Sequence, residues 1–454
     1  MIGQSKEVTP PSDDIILESS LEYQLELPVE PNSGFAGRRF RRIVSFAATT
    51  GDQALVSFSN FGVTVVVARL LGPGGLGLFT LMWSVALFLN VVQQSFIVAP
   101  MLTLGSKYLG SARAKYLGSV LTLQTILAIS SSVLVAVCYE IGVLLGFFAP
   151  VIRSVILPLA CACFFYQMQE FARRILQATH TPVVALLCDL TAYGLQLGVL
   201  GWLLLAKHGD MGAIFWILAG SWMAGCIFLA SAHSNIKFCW PEVAAARNLH
   251  FSFGFSLALT NLFQWFSSYG ALYIVAARLT PAAVGNARGA MNIVAPLNVL
   301  AVGTQVFLSI EAAQVYRAEG LHGLTKLLRR SAIGFMVMCA PLGLAMSVWG
   351  RPLVRILLGD RFEIPTSWIV AQFAFVAAGA LFGFSIVHFK TIERTSYTAF
   401  AAGCGLLLTL TVTVMLVNVL GTGAVFVGLL AGQAGTLCCA GWFWRSSIRE
   451  RELG

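Results

Sequence analysis

Long apolar runs, each about the length of a membrane-spanning helix, occupy almost the whole chain. A helix needs roughly 20 apolar residues to cross the hydrocarbon core of a bilayer. Runs of about that length lie near 43–68, 77–101, 117–139, 151–172, 182–206, 211–233, 252–278, 284–309, 331–349, 366–389, 396–419 and 422–444. Only 11% of the 454 residues are charged, against roughly 25% in soluble globular proteins. The sequence therefore predicts an all-α polytopic membrane protein with about 12 transmembrane helices.

The runs form two sets of six, which are separated by a polar connection at Ser234–His250. Because six is an even number, both sets enter the membrane from the same side. We therefore expect two parallel, pseudo-symmetric six-helix bundles, at residues 38–240 and 241–454. Residues 1–37 are rich in acidic side chains and lack an apolar core, which predicts a disordered acidic cytoplasmic tail.

A short internal repeat supports this division. Val66-Val-Ala-Arg-Leu-Leu-Gly-Pro-Gly-Gly-Leu-Gly77 ends the first helix of the first set, and Val275-Ala-Ala-Arg-Leu-Thr-Pro-Ala-Ala-Val-Gly285 ends the first helix of the second. The alignment, with one residue deleted, pairs Arg69 with Arg278, Pro73 with Pro281 and Gly77 with Gly285. The proline and glycine residues predict a tight turn between two helices in each copy.

Positive charge is distributed unevenly between the two predicted faces of the membrane. If the N-terminus is cytoplasmic, the cytoplasmic segments carry 21 of the 29 Lys and Arg residues, and the outer segments carry 8. Such a bias is typical of multi-pass proteins, in which cytoplasmic loops are enriched in Lys and Arg. It predicts that the N- and C-termini are both cytoplasmic.

Motifs of bond-making chemistry are absent from the sequence. No glycine is followed directly by lysine, which excludes a Walker A loop, and neither HExxH, GxSxG nor a dinucleotide fingerprint occurs. The cysteines lack metal-ligand spacing, and the basic residues lie mostly at the ends of apolar segments, where they contact lipid headgroups rather than nucleic acid. We expect no catalytic residue, no metal and no cofactor, and movement of a substrate rather than its conversion.

Two carboxylates lie at membrane depth, Asp52 in the first run and Asp189 in the fifth. A carboxylate there is costly and usually faces the bundle interior or water. One interpretation is ion coupling, in which a proton or sodium gradient drives transport through Asp52 and Asp189. The other is that each carboxylate is a packing group hydrogen bonded across helices.

Uncharged polar side chains concentrate in the first, second, seventh and eighth runs, which are the predicted cavity walls. The candidates for substrate contact among them are Gln53, Asn261, Gln264 and Asn292. Asn292, Asn298 and Gln305 recur at near-helical spacing and are expected to share one face. The alternative for all of these side chains is hydrogen bonding between helices.

Several segments together resemble the polysaccharide flippase families of the multidrug/oligosaccharidyl-lipid/polysaccharide exporter superfamily. The resemblance extends over essentially the whole chain after Arg38, and the segments are Ala68-Arg-Leu-Leu-Gly-Pro73 with Gly77-Leu-Phe79, Arg173-Arg-Ile-Leu-Gln-Ala178 with Asp189-Leu190, and Trp349-Gly-Arg-Pro-Leu-Val-Arg-Ile-Leu-Leu-Gly-Asp-Arg-Phe362. It implies a flippase that carries an undecaprenyl-diphosphate-linked oligosaccharide across the bacterial inner membrane for exopolysaccharide or O-antigen synthesis. It also implies polysaccharide polymerases and glycosyltransferases as partners.

Relatives of this kind often carry arginines in a central cavity, and this chain has none at mid-depth in its first, second or seventh run. Arg288, about one turn into the eighth run, is the first candidate for a diphosphate contact, and Arg278 is the second. Two rival functions stay open. A cation-coupled multidrug exporter of the same superfamily would use acidic cavity residues, and a membrane glycan polymerase or ligase would need a long outer loop.

The ion-coupling hypothesis predicts that Asp52→Asn abolishes glycan export while the amount of protein in the membrane stays unchanged, because the amide cannot exchange a proton. The measurement is surface polysaccharide per cell, with immunoblotting as the control for protein level. Unchanged export would remove Asp52 from the mechanism.

Overall fold

The computed structural model describes residues 35–179, 182–207 and 209–452, with side chains described from Leu55 onward apart from single positions and the stretches 180–182, 232–235 and 448–452. The predicted acidic tail lies almost wholly outside these residues. The side chains of Asp52 and Gln53 lie outside them as well.

Twelve helical segments follow one another along the described chain, and no strand occurs among them. They are α1 (35–71), α2 (73–104), α3 (Gly110–Leu144), α4 (Arg153–Ala178), α5 (Pro182–Ala206), α6 (Met211–Cys226), α7 (Trp240–Arg278), α8 (Pro281–Ile293 with 295–319), α9 (321–358), α10 (Thr366–Thr391), α11 (Ser396–Leu420) and α12 (Gly423–Glu452). Near its end α2 passes through a π-helical turn at Gln94–Val98. Eleven of the twelve predicted runs lie within one of these segments to within a few residues, whereas the run at 211–233 extends seven residues beyond α6, into the 3₁₀ helix Ile227–Asn235.

Nine helical stretches of the described chain are long and apolar enough to cross a membrane, and a bent pair, Pro281–Ile293 with Ala295–Ser309, makes a tenth. The stretch Leu55–Leu104 contains residues 55–71 of α1 and all of α2, and the turn at Gly72 separates the two helices within it. The remaining segment, α7, is 39 residues long and carries many of the polar side chains predicted for a cavity wall. These observations confirm the predicted all-α membrane fold.

The surface of the bundle is apolar, as expected for helices in contact with lipid. Large hydrophobic side chains such as Leu205, Val419 and Phe147 are more than three-quarters exposed. In water such a surface would aggregate, whereas in a bilayer it contacts acyl chains at no cost. A continuous core of buried apolar residues runs through both halves of the chain beneath it.

The helix turns at Gly72 and Gly320 use backbone conformations that favour glycine. Gly72 has φ 68° and separates α1 from α2, while Gly320 has φ 65° and separates α8 from α9. A residue with a Cβ is strained at such angles. The first of these turns falls within the Gly72-Pro-Gly-Gly75 stretch that the sequence predicted to break the helix.

The two copies of the internal repeat contact each other directly. A Cβ on Gly77 of α2 would overlap the carbonyl oxygen of Pro281, and a Cβ on Gly285 of α8 would overlap the carbonyl oxygen of Pro73. The contact is therefore reciprocal, as expected for two elements related by a pseudo-twofold axis. It brings the backbones of α2 and α8 together at the predicted outer end of the bundle.

Further bonds join the halves at both ends. Near the predicted outer end, Arg69 donates from Nε to the carbonyl oxygen of Leu357 at 2.9 Å and from Nη2 to that of Ile356, so it caps the C-terminus of α9. At the opposite end, the imidazole of His250 in α7 hydrogen bonds through Nε2 to the hydroxyl of Tyr116 at 2.8 Å and through Nδ1 to the carbonyl oxygen of Phe96 at 2.9 Å.

The connection between the halves is bound to α3. The amide of Lys237 donates to the carbonyl oxygen of Ala114 at 2.8 Å, and the ammonium of Lys115 lies 3.6 Å from the carboxylate of Glu242. Gly118 lies so close to the carbonyl oxygen of Lys237 that a side chain there would overlap it. The segment that leads into α7 is therefore bound to the first half of the protein.

The reciprocal glycine contact predicts that Gly77→Ala and Gly285→Ala each destabilise the folded protein by about 1–3 kcal/mol, because the added methyl group forces the α2 and α8 backbones apart. Thermal unfolding of the detergent-solubilised protein measures the effect. Gly74→Ala is the matched control, since no atom lies within 4 Å of a Cβ at that position in the same turn. Equal unfolding temperatures for all four proteins would contradict the close crossing.

Candidate functional site

A cavity of about 630 Å³ lies between the two halves of the bundle. Its walls come from α1, α2, α5 and α6 of the first half and from α7, α8, α10, α11 and α12 of the second. A cavity at the interface of two repeats is the usual place for a substrate in a membrane transporter. The four helices that the sequence predicted as walls, α1, α2, α7 and α8, all contribute to it.

The lining combines apolar side chains with many polar ones and is almost uncharged. Eight side-chain amides contribute to it, and they are Asn60, Gln196, Gln264, Asn292, Asn298, Gln305, Gln372 and Gln433. Hydroxyl groups of five Ser and Thr residues add further donors and acceptors. Amides and hydroxyls both donate and accept, so this wall suits a ligand that is itself covered with hydroxyl or amide groups.

Arg288 is the one charged residue among the described residues that line the cavity. It lies seven residues, or about two turns, after Pro281, where Thr280 caps the start of α8 by accepting a hydrogen bond from the amide of Ala283 at 3.3 Å. Within the described part of the chain, no hydrogen bond or ion pair occupies its guanidinium. Its five N–H donors therefore remain available to an anion in the cavity.

The inner face of α8 continues the polar wall from Arg288. Asn292, Asn298 and Gln305 all line the same cavity, as their spacing in the sequence predicted. The helix bends by 51° between Pro281–Ile293 and Ala295–Ser309, where Pro296 lies in the first turn of the second piece and cannot donate a backbone hydrogen bond to the turn before it. The bend directs both pieces of α8 along one wall.

The first half contributes an aromatic wall. Trp83 of α2 and Trp222 of α6 stack with ring centroids 5.2 Å apart and an interplanar angle of 15°. Phe79 stacks on Phe215 at 5.4 Å, and Tyr166 of α4 packs against both tryptophans at 5.1 Å. Such rings are held firmly, because each is supported by another ring behind it.

A second cavity, of about 420 Å³, lies beside the first, between α2 and α7. Asn90 and Gln94 line it from α2, and Asn261 and Gln264 line it from α7. Asn261 also donates a hydrogen bond to Ser95 Oγ at 3.1 Å, which links the two halves. Gln264 is common to both cavities.

The predicted site residues thus separate into several places. Arg288, Asn292 and Gln264 line the main cavity, and Asn261 lines the smaller one. Arg278 is exposed at the end of α7 and is not among the lining residues of either cavity. The role of each residue in substrate binding stays a prediction.

Asp189 belongs to a buried ionic cluster away from the cavity lining. Its Oδ1 accepts a hydrogen bond from Gln169 at 2.6 Å, and its Oδ2 lies 3.4 Å from Arg173 Nη1. The same guanidinium binds both carboxylate oxygens of Glu170, at 2.6 and 2.7 Å. Asp189 is 0% exposed, and Glu170 and Arg173 are each 3% exposed. The cluster joins α4 to α5 through these buried polar contacts. A role for Asp189 in ion coupling stays a prediction.

Sequence reasoning missed the ion pair of Glu170 with Arg173 and the aromatic wall. It counted Arg173 among the cytoplasmic charges, although its side chain is buried. A signal was present, because a carboxylate three residues before an arginine inside a mostly apolar segment places the two side chains together on one helix face. The contact of Trp83 with Trp222 has no local signal.

Neither a protein-family model nor a curated protein matches this sequence. Solved structures do match in fold. A multidrug resistance MATE family transporter of the MOP superfamily, in an inward-facing conformation, superposes with a TM-score of 0.68 at 13% identity, covering 88% of this chain and 95% of that chain. The lipid II flippase MurJ gives 0.65 at 13%, covering 90% and 87%, and the Vibrio cholerae MATE transporter VcmN gives 0.63 at 11%, covering 91% and 98%.

The chain has the fold of the MATE transporters and of MurJ. These similarities extend over nearly the full length of each chain, so they include all twelve segments rather than one bundle. At 11% to 14% identity they concern the fold alone.

The buried ionic cluster predicts that Asp189→Asn lowers stability by roughly 1.5–3 kcal/mol, because Arg173 and Gln169 lose a charged acceptor while Glu170 still pairs with Arg173. Asp189→Asn combined with Arg173→Gln should cost less than the sum of the two single changes, since the partners interact. Thermal unfolding in detergent measures all three variants. Strict additivity would show that the two side chains are not coupled.

Proposed function

We propose that this protein is a flippase that moves an undecaprenyl-diphosphate-linked oligosaccharide across the bacterial inner membrane by alternating access. The product would serve exopolysaccharide or O-antigen synthesis. The observation that supports it best is the composition of the main cavity, whose described lining residues combine many neutral amides and hydroxyls with one available arginine, Arg288.

The neutral wall fits the glycan. A sugar presents hydroxyl groups in every direction, and each of them donates and accepts hydrogen bonds as the amides of the cavity do. Inside a protein such groups are costly when unpaired. A cavity rich in amides therefore favours an oligosaccharide over an apolar molecule of the same size.

Arg288 fits the diphosphate. A guanidinium binds phosphate oxygens through paired, charge-assisted hydrogen bonds, which are about twice as strong as neutral ones. Binding of a cationic drug would be unfavourable, because no carboxylate occurs among the described lining residues and Arg288 would repel the drug. The charge of the cavity thus favours an anionic lipid headgroup over the substrate of a multidrug exporter.

The prenyl chain does not need to enter the cavity. The outer surface of the helices is apolar, so the chain stays in the bilayer while the headgroup and glycan lie between the halves. Transport then requires the halves to open alternately on the two sides. A proton or sodium gradient acting through Asp52 or Asp189 would supply the energy, and polysaccharide polymerases and glycosyltransferases would act on either side of this step.

Arg288→Gln should lower surface polysaccharide about tenfold or more in cells deleted for the native gene, because the loss of a charge-assisted hydrogen bond costs roughly 1.5–3 kcal/mol. Arg288→Lys should retain an intermediate level, since the charge remains but the paired geometry is lost. Surface polysaccharide per cell is the measurement, and Arg351→Gln, which removes an exposed arginine outside the cavity, is the matched control.

Deletion of the gene also distinguishes the rival functions. Loss of surface polysaccharide together with accumulation of the lipid-linked oligosaccharide on the inner leaflet supports a flippase. Normal polysaccharide combined with hypersensitivity to cationic drugs would overturn the proposal in favour of a multidrug exporter. Accumulation of the lipid-linked unit on the outer leaflet would overturn it in favour of a polymerase.

A further inference from the structure

Two polar atoms in the first-half wall of the main cavity are buried and have no hydrogen-bond partner in the structure. They are Nε1 of Trp222 in α6 and Oε1 of Gln196 in α5. The two residues are 2% and 1% exposed, and both line the cavity. Buried polar groups in proteins are nearly always hydrogen bonded, so an unpartnered pair in a cavity wall indicates a place where a ligand supplies the partners.

The orientation of Gln196 is fixed from behind. Its amide nitrogen donates to Ser59 Oγ of α1 at 2.8 Å, which leaves the amide oxygen as the group without a partner. Since this one bond is all that holds the amide, the opposite assignment of its nitrogen and oxygen would also leave one polar atom unpaired. The wall therefore offers an indole donor and an amide group in either case.

The indole of Trp222 is fixed as well. It stacks on Trp83, and Tyr166 packs against both rings from α4. A rigid aromatic surface beside a few well-placed polar atoms is the usual design of a small-molecule site. A pyranose fits it, because one face of the sugar carries C–H groups that pack on an aromatic ring while its rim carries hydroxyl groups.

We infer that Trp222, Gln196 and Trp83 form a saccharide subsite in the first half of the transporter. It selects a neutral sugar, whose oxygen accepts from Trp222 Nε1 and whose hydroxyl or amide N–H donates to Gln196 Oε1. This inference rests on the proposed function and specifies which part of the substrate the protein recognises. It also divides the substrate between the halves, with the sugar on α2, α5 and α6 and the diphosphate on Arg288 of α8.

The test compares two probes on the full-length protein in nanodiscs by native mass spectrometry. One is undecaprenyl diphosphate without sugar, and the other is the undecaprenyl-diphosphate-linked oligosaccharide extracted from cells that lack this protein. Wild type should bind the glycan-bearing lipid more tightly than the bare lipid. Trp222→Phe, which keeps a ring but removes the N–H, and Gln196→Met should each weaken binding of the glycan-bearing lipid 5- to 30-fold and leave the bare lipid unchanged.

Trp216→Phe is the matched control, because Trp216 lies on the same helix but is half exposed on its outer surface. If Trp222→Phe does not fold, Gln196→Met carries the test alone. Retention of the full preference for the glycan-bearing lipid in a folded Trp222→Phe or Gln196→Met protein would overturn the subsite, and so would equal binding of both probes by wild type.

Failure of the proposed function gives a different result. In that case wild type binds neither lipid, and Arg288→Gln changes nothing. If the protein is a flippase but the subsite is wrong, wild type still binds the bare lipid, and Arg288→Gln still weakens that binding.

Discussion

The backbone contact between α2 and α8 sets the geometry of everything inside the bundle. At Gly77 and Gly285 the two helices touch with no side chain between them, so the residues that follow on each helix are placed at equivalent depths. From this crossing Phe79, Thr80 and Trp83 continue along one wall, and Arg288, Met291 and Asn292 continue along the other. Small residues at a crossing are a common means of bringing membrane helices together.

The two walls have equivalent positions but different chemistry. In the register of the repeat, Arg288 corresponds to Thr80 and Met291 corresponds to Trp83, and all four residues line the main cavity. The two copies of the repeat therefore lead to a cationic side chain on one wall and an aromatic ring on the other. A substrate that is anionic at one end and neutral and polar at the other matches this asymmetry, whereas a small symmetric ion does not.

The helices and their order were predictable from sequence because both depend on local properties. The length of an apolar run indicates a membrane-spanning helix, and the glycine at position 72 indicates a turn. The shared face of Asn292, Asn298 and Gln305 follows from helical periodicity. The stacking of Trp83 on Trp222 and the approach of Arg173 to Asp189 join helices far apart in the chain. A single sequence does not show which faces of two helices pack against each other, so these contacts could be identified only from the structure.

The attachment of the connecting segment to α3 has a consequence for motion. Lys237 just before α7 and His250 near its start bond to the first half, and farther along Trp265 and Tyr273 still bond to α2. Between these two, Ser267 bonds to Thr409 of α11 in the second half at 3.1 Å. One continuous helix is thus bonded to both halves along the same stretch. If the halves rotate as the proposed alternating access requires, bonds of α7 to one half must break or the helix must bend between its bonded positions, so this helix contributes to the energy of the conformational cycle.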